Sequence, residues 1–128
     1  MKKLSESVED YLEAIFILGR DGSAVRSIDI ANQLEFSKPS VSIAMKNLRE
    51  SGYINVNDGG LIELTQSGAE IAQRVYERHK LISDWLMYLG VDERVALRDA
   101  CKIEHGLSEE SYLALKRHIT QWQSDNPG

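Results

Sequence analysis

The sequence predicts a mainly α fold with a small β-hairpin: a winged helix-turn-helix followed by an all-helical dimerisation domain. Three observations carry this reading. Apolar residues recur at helical spacing in several separate stretches. Asn57-Asp58-Gly59-Gly60 joins two β-prone runs, and two glycines in so short a link mark a hairpin. That hairpin follows directly on two short helices joined by a tight link, the order of a winged helix.

The elements follow in chain order. From about Ser5 to Gly19, Val8, Tyr11, Leu12, Ile15 and Phe16 make one apolar helical face, and Ser5 or Ser7 can cap its start. Asp10 and Glu13, three apart, neighbour each other on the opposite face. After the turn Arg20–Ser23, a short helix spans about Ser27 to Leu34, with Ile28, Ile30, Ala31 and Leu34 as its apolar set. Glu35-Phe36-Ser37 is a tight link. The next helix runs from about Lys38 to Ser51, capped by Ser37, with Pro39 tolerated in its first turn and Gly52 ending it. Its inner face is Val41, Ala44, Met45 and Leu48. Strands are expected at Tyr53–Val56 and Leu61–Leu64. Thr65 then caps a long helix, about Gln66 to Leu89, anchored by Ile71, Val75, Ile82, Trp85, Leu86 and Leu89 and stopped by Gly90. Helices at about Asp92–His105 and Ser108–Gln123 complete the chain, and Pro127-Gly128 reads as a frayed end. The expected division is 1–72, a winged-helix DNA-binding domain, and 73–128, a helical metal-binding and dimerisation domain. The later helices carry more Trp and Leu than closing the small winged unit needs. A partner surface formed by Trp85, Leu86 and Leu89 in a homodimer is the expected use.

Composition excludes several classes. A hydrophobic content of 42% with 27% charged residues is globular rather than disordered. No apolar run is long enough to span a bilayer, so no membrane association is expected. Met1–Glu6 turns acidic at once and lacks the apolar stretch of a secretory signal. The one cysteine, Cys101, cannot form an intrachain disulfide, which fits a cytoplasmic location.

The net charge of −5 argues against nucleic acid, but its distribution does not. Between Ser23 and Gly52, Arg26, Lys38, Lys46 and Arg49 balance Asp29, Glu35 and Glu50, leaving the acidic excess elsewhere. The helix-turn-helix reading places the Lys38–Ser51 helix in a major groove of double-stranded operator DNA. Arg26, Ser37, Lys38, Pro39, Ser40, Ser42, Ile43 and Lys46 are its candidate contacts. The lysines and hydroxyls suit phosphates, and Pro39 and Ile43 suit thymine methyls. On the recognition helix no Arg, Asn or Gln among these residues can grip a base bidentately, so part of the recognition must come from DNA shape.

Cys101, Glu104 and His105 lie at i, i+3 and i+4, one face of a helix able to converge on one cation. Singly, each has an ordinary explanation: a small core residue, a surface charge, a hydrogen-bonded ring. His79 on the long helix, and Asp10 and Glu13 on the first, add further candidates. His118 has no companions and reads as structural or surface.

Five blocks resemble the family of the diphtheria toxin repressor and the manganese transport regulator, over essentially the whole chain. They are the stretch Ser7–Phe16, Ser37-Lys-Pro-Ser-Val-Ser42, Leu64-Thr-Gln-Ser-Gly68, Arg78-His79 and Ala100-Cys-Lys-Ile-Glu-His105. The resemblance implies a metal-dependent repressor whose winged helix binds operator DNA and whose C-terminal helices dimerise. It implies that Asp10, Glu13, His79, Cys101, Glu104 and His105 surround regulatory Mn²⁺ or Fe²⁺, with Co²⁺, Zn²⁺ or Cd²⁺ as substitutes in vitro. Asp10 resembles the manganese branch, whereas Cys101 resembles the iron branch. A second iron-branch site needs a glutamate and a histidine where this chain has Ser83 and Leu97.

Two other functions fit the residues less well. A metal-independent winged-helix regulator sensing a small molecule would leave Asp10, Glu13 and His79 unrelated in space. A metallohydrolase would keep about three protein ligands and an open position, and six candidates exceed that.

Overall fold

A computed structural model describes residues 5–126, so Met1–Leu4 and the Pro127-Gly128 end lie outside the described residues. Among those residues are six helices and one antiparallel hairpin. The chain divides into two compact units, one reaching Val75 and the other beginning at Tyr76.

The first unit contains α1 (Glu6–Gly19), α2 (Ser27–Leu34), α3 (Lys38–Glu50), β1 (Ile54–Val56), β2 (Ile62–Leu64) and the start of α4 (Gln66–Tyr88). Ser5 caps α1 by accepting the Val8 amide (3.2 Å). Ser37 caps α3 by accepting the Ser40 amide (3.3 Å). Gly52, at φ 83°, closes α3, with the Tyr53 amide reaching back to the Leu48 carbonyl (3.0 Å). One core collects Leu12, Ile15, Ile30, Val41, Met45, Leu48, Ile54, Ile62 and Ala72.

Three details depart from the expected pattern. Ile28 is 39% exposed rather than core. Residues two apart on a helix point about 200° apart, so Ile28 and Ile30 cannot share one inner face. Glu13, expected opposite the apolar face, is buried. The strands are three residues long, because the flanking amides are already engaged. Tyr53 donates to α3, and Leu61 donates to Asn57 Oδ1 (2.9 Å) inside the turn. Pairing runs Ile54–Leu64, Asn55–Glu63 and Val56–Ile62. The Ile62 amide also donates to the Val25 carbonyl (2.8 Å), tying the hairpin to the segment before α2.

The link between α2 and α3 turns at Glu35, the one non-glycine residue with positive φ (58°) among the described residues. The Leu64–Gly68 block has a clear structural reason. Thr65 donates its hydroxyl to the Gly52 carbonyl (2.7 Å) and accepts the Gly68 amide (3.2 Å). A Cβ on Gly68 would lie 2.1 Å from the Tyr53 carbonyl oxygen, so only glycine lets the start of α4 approach that backbone.

The second unit contains the rest of α4, α5 (Glu93–Gly106) and α6 (Glu109–Asp125). Gly90 (φ 101°) ends the turn after α4, Asp92 caps α5 and Ser108 caps α6. Ile82, Ala96, Ala100, Tyr112 and Ile119 are its buried apolar residues. Trp85 stacks on Tyr88 and meets Trp122 edge-on, with centroids 5.7 and 5.6 Å apart. His118 packs edge-on against Trp85. No described helix is long and apolar enough to cross a membrane.

Candidate functional site

In the first unit, α3 presents Lys38, Pro39, Ser40, Ser42, Ile43 and Lys46 to solvent, with Ile43 at 63% exposure. An apolar side chain so exposed on a capped, well-packed helix is available for another surface. Ser37 is exposed too, but its hydroxyl is occupied. It caps the helix and donates to Ser40 Oγ (2.8 Å). Ser27, Ile28, Lys38 and Ser42 line an open cleft of about 260 Å³, so the exposed Ile28 belongs to the same face as the first turn of α3. Arg26 is exposed, and its Nη1 donates to the Gly59 carbonyl at the hairpin tip. Its backbone amide is held by Asp29 Oδ2 (2.9 Å). Sequence reasoning placed Arg26 among the DNA contacts but missed this bond across the unit.

Asp10 and Glu13 also belong to the first unit, one turn apart on α1. The other four metal candidates lie in the second unit. Cys101, Glu104 and His105 share α5, as their spacing requires. Glu104 is 5% exposed, unlike an ordinary surface carboxylate, and its Oε1 lies 3.4 Å from His105 Nε2. His79 Nε2 lies 3.0 Å from the Leu97 carbonyl. A carbonyl only accepts, so in the neutral ring this bond puts the proton on Nε2 and the lone pair on Nδ1. A backbone carbonyl fixing the tautomer is the usual partner of a ligating histidine. On this unit Cys101 and Glu104 each offer a ligand atom within 4.8 Å of one from His105, and thiol, carboxylate and imidazole donors suit a divalent transition metal.

One residue of this region carried no assigned role in the sequence. Arg78 Nη2 donates to the carbonyls of Glu104 (3.0 Å) and Leu107 (2.9 Å). Its Nη1 lies 3.6 Å from the Glu109 carboxylate, and its guanidinium sits 4.7 Å over the Tyr112 ring. Burial raises the Tyr112 phenol above its ordinary value of 10.0, against the opposing charge of Arg78. Only its place beside His79, in the Arg78-His79 pair, could have drawn attention to it.

Residues 3–60 match the model of the iron-dependent repressor N-terminal DNA-binding domain. Residues 65–128 match that of the iron-dependent repressor metal-binding and dimerisation domain. The chain belongs to the iron-dependent repressor family. It is 36% identical to an HTH-type transcriptional regulator of Methanocaldococcus jannaschii, over 88% of this chain and 92% of that one. It is also 36% identical to the transcriptional regulator MntR of Escherichia coli O6:H1, over 87% of this chain and 72% of that one. The structure resembles that of the manganese regulator SloR, with a TM-score of 0.78 and 26% identity, covering 88% of this chain. The chain spans about half of SloR (53%). This member of the iron-dependent repressor family is a metal-dependent transcriptional regulator with a winged helix-turn-helix, not an enzyme.

Proposed function

We propose that the chain is a cytoplasmic repressor that binds operator DNA as a homodimer when loaded with Mn²⁺ or Fe²⁺. The carrying observation is the donor set of the second unit. Cys101, the buried Glu104 and His105 share α5, and His79 is held at the Leu97 carbonyl with Nδ1 as its lone-pair nitrogen. The resemblance adds Asp10 and Glu13 of α1 as the remaining ligands. SloR is named as a manganese regulator, which supports Mn²⁺, whereas the thiol of Cys101 draws toward softer ions.

A divalent cation supplies the positive charge that Asp10, Glu13 and Glu104 lack as a group. In this reading, ligands drawn from both units favour one arrangement of the recognition helices. Two copies of α3 must then meet successive major grooves, ~34 Å apart. Lys38 and Lys46 serve the phosphates, and Pro39, Ser40, Ser42 and Ile43 the base edges. Dimerisation through Trp85, Leu86 and Leu89 is supported by the family model and by the exposure of Leu89 (61%) beside the aromatic cluster.

The test is an anaerobic metal-by-metal titration of binding to a duplex selected from a random pool, at fixed salt. Operator affinity should rise about 5–150-fold with the effective ion, a typical coupling between sites. Equal affinity with and without metal would overturn the proposal. Cys101→Glu should move the ranking toward Mn²⁺, and an unchanged ranking would remove Cys101 from the ligand set.

A further inference from the structure

The C-terminal end of a helix leaves carbonyls that need donors, and most helices use water or a following glycine for them. α5 instead has a largely buried guanidinium. Arg78 Nη2 bridges the carbonyls of Glu104 and Leu107 at 3.0 and 2.9 Å, so one nitrogen spans the last turn of the helix. Glu109 and the Tyr112 ring, both on α6, hold the guanidinium from other directions. Its Nε is buried with no hydrogen-bond partner among the described residues. Burying a cation with one donor unsatisfied is a poor route to stability alone. The arrangement is well suited to fixing position.

The turn so fixed is the one that carries Glu104 and His105, and Arg78 is the chain neighbour of His79. We propose that Arg78 is a positioning residue. It holds the last turn of α5 so that the Glu104 carboxylate and the His105 ring stand ready for a cation. This rests on the metal reading above. Arg78 is not itself a ligand, being cationic. It acts through the backbone of Glu104, the residue whose carboxylate it presents. The two N–H bonds of Nη2 are fixed in the guanidinium plane, whereas those of an ammonium turn freely on a flexible stem.

The experiment uses the full chain, with Co²⁺ as spectroscopic probe and Mn²⁺ in competition. Wild type, Arg78→Met and Arg78→Lys are compared, each with a circular-dichroism melt. Arg78→Met should keep its helical signal, lose about 10–100-fold in Co²⁺ affinity, as loss of a supporting outer group does, and shift the visible Co²⁺ bands. Arg78→Lys should recover only part of the affinity. Affinity within about twofold of wild type with unshifted bands in Arg78→Met overturns the proposal, since supporting groups are worth more than that. If Arg78→Met does not fold, Arg78→Lys decides. Wild-type affinity and bands in that variant overturn the proposal, and weakened binding with shifted bands upholds it. A wild-type protein that binds neither Co²⁺ nor Mn²⁺ overturns the metal reading itself and takes this inference with it. That outcome differs from normal wild-type binding with an indifferent variant, which overturns the positioning role alone.

Discussion

The two units solve the problem of stability differently. The first is closed around a contiguous apolar core drawn from α1, α2, α3, the hairpin and the start of α4. The second has few buried apolar residues, two of them alanines, while Tyr88, Leu89, Leu97, Ile103 and Leu113 stay substantially exposed. Its remaining contacts include an aromatic cluster at Trp85, Tyr88 and Trp122, and the Arg78 bonds that fix the last turn of α5. The first unit can thus be rigid on its own terms. The second leaves apolar surface uncovered, which the proposed function assigns to a partner copy.

The sharpest way to break this contrast is Gly68→Ala. The added Cβ meets the Tyr53 backbone oxygen at 2.1 Å, and a strand-initiating carbonyl cannot swing aside as a side chain can. A loss of about 3 kcal/mol or more is expected, in the upper range for single substitutions. Urea denaturation measures it. A loss below about 1 kcal/mol would show the first unit to be softer than its core implies.

The second unit is probed by Leu89→Glu. A carboxylate at this 61%-exposed position would be harmless in a free surface but would have to be desolvated in a dimer. The melting temperature should lose its dependence on protein concentration, with a deficit of about 1–3 kcal/mol at concentrations where wild type is dimeric. Sedimentation velocity gives the oligomeric state directly. An unchanged dimer would place the interface elsewhere.

The smallest effect is expected at Arg26, where the first unit uses a cation to hold its own hairpin. The hairpin turn, Asn57–Gly60, carries Asp58 and no basic residue, so the guanidinium on Gly59 is its local positive charge. Arg26→Ala should weaken operator binding by about 2–10-fold, the worth of one hydrogen bond, while keeping the salt dependence. A slope reduced by about 0.9 would instead make Arg26 a direct phosphate contact.

The first unit was the more legible in sequence for the same reason that it is the better packed. Its helical periods, the Ser37 cap and the two-glycine turn are local signals, and each lands within a residue or two of its element. Its surprises are pairings between distant residues. Ile62 with Val25, Arg26 with Gly59 and Thr65 with Gly52 leave no trace in spacing. In the second unit the i, i+3, i+4 set on α5 was readable because a helix converts spacing into proximity. The burial of Glu104 and the Leu97 carbonyl facing His79 were not, because both depend on how helices pack. Ile28 shows the opposite error, an apolar residue assigned inward by composition although its angle to Ile30 sends it out.

The left-handed turn at Glu35 has a consequence for engineering. A non-glycine residue there carries about 1–2 kcal/mol of backbone strain. Replacing it with glycine relaxes the strain but frees the unfolded chain by about 0.4–1 kcal/mol, so much of the gain is returned. Asparagine, which tolerates this conformation without that freedom, is the economical choice for stiffening the bend that aims α3. It would also remove a negative charge from the approach to a phosphate backbone. One substitution at the bend would therefore tune both how firmly the reading helix is aimed and how readily it settles on unspecific DNA.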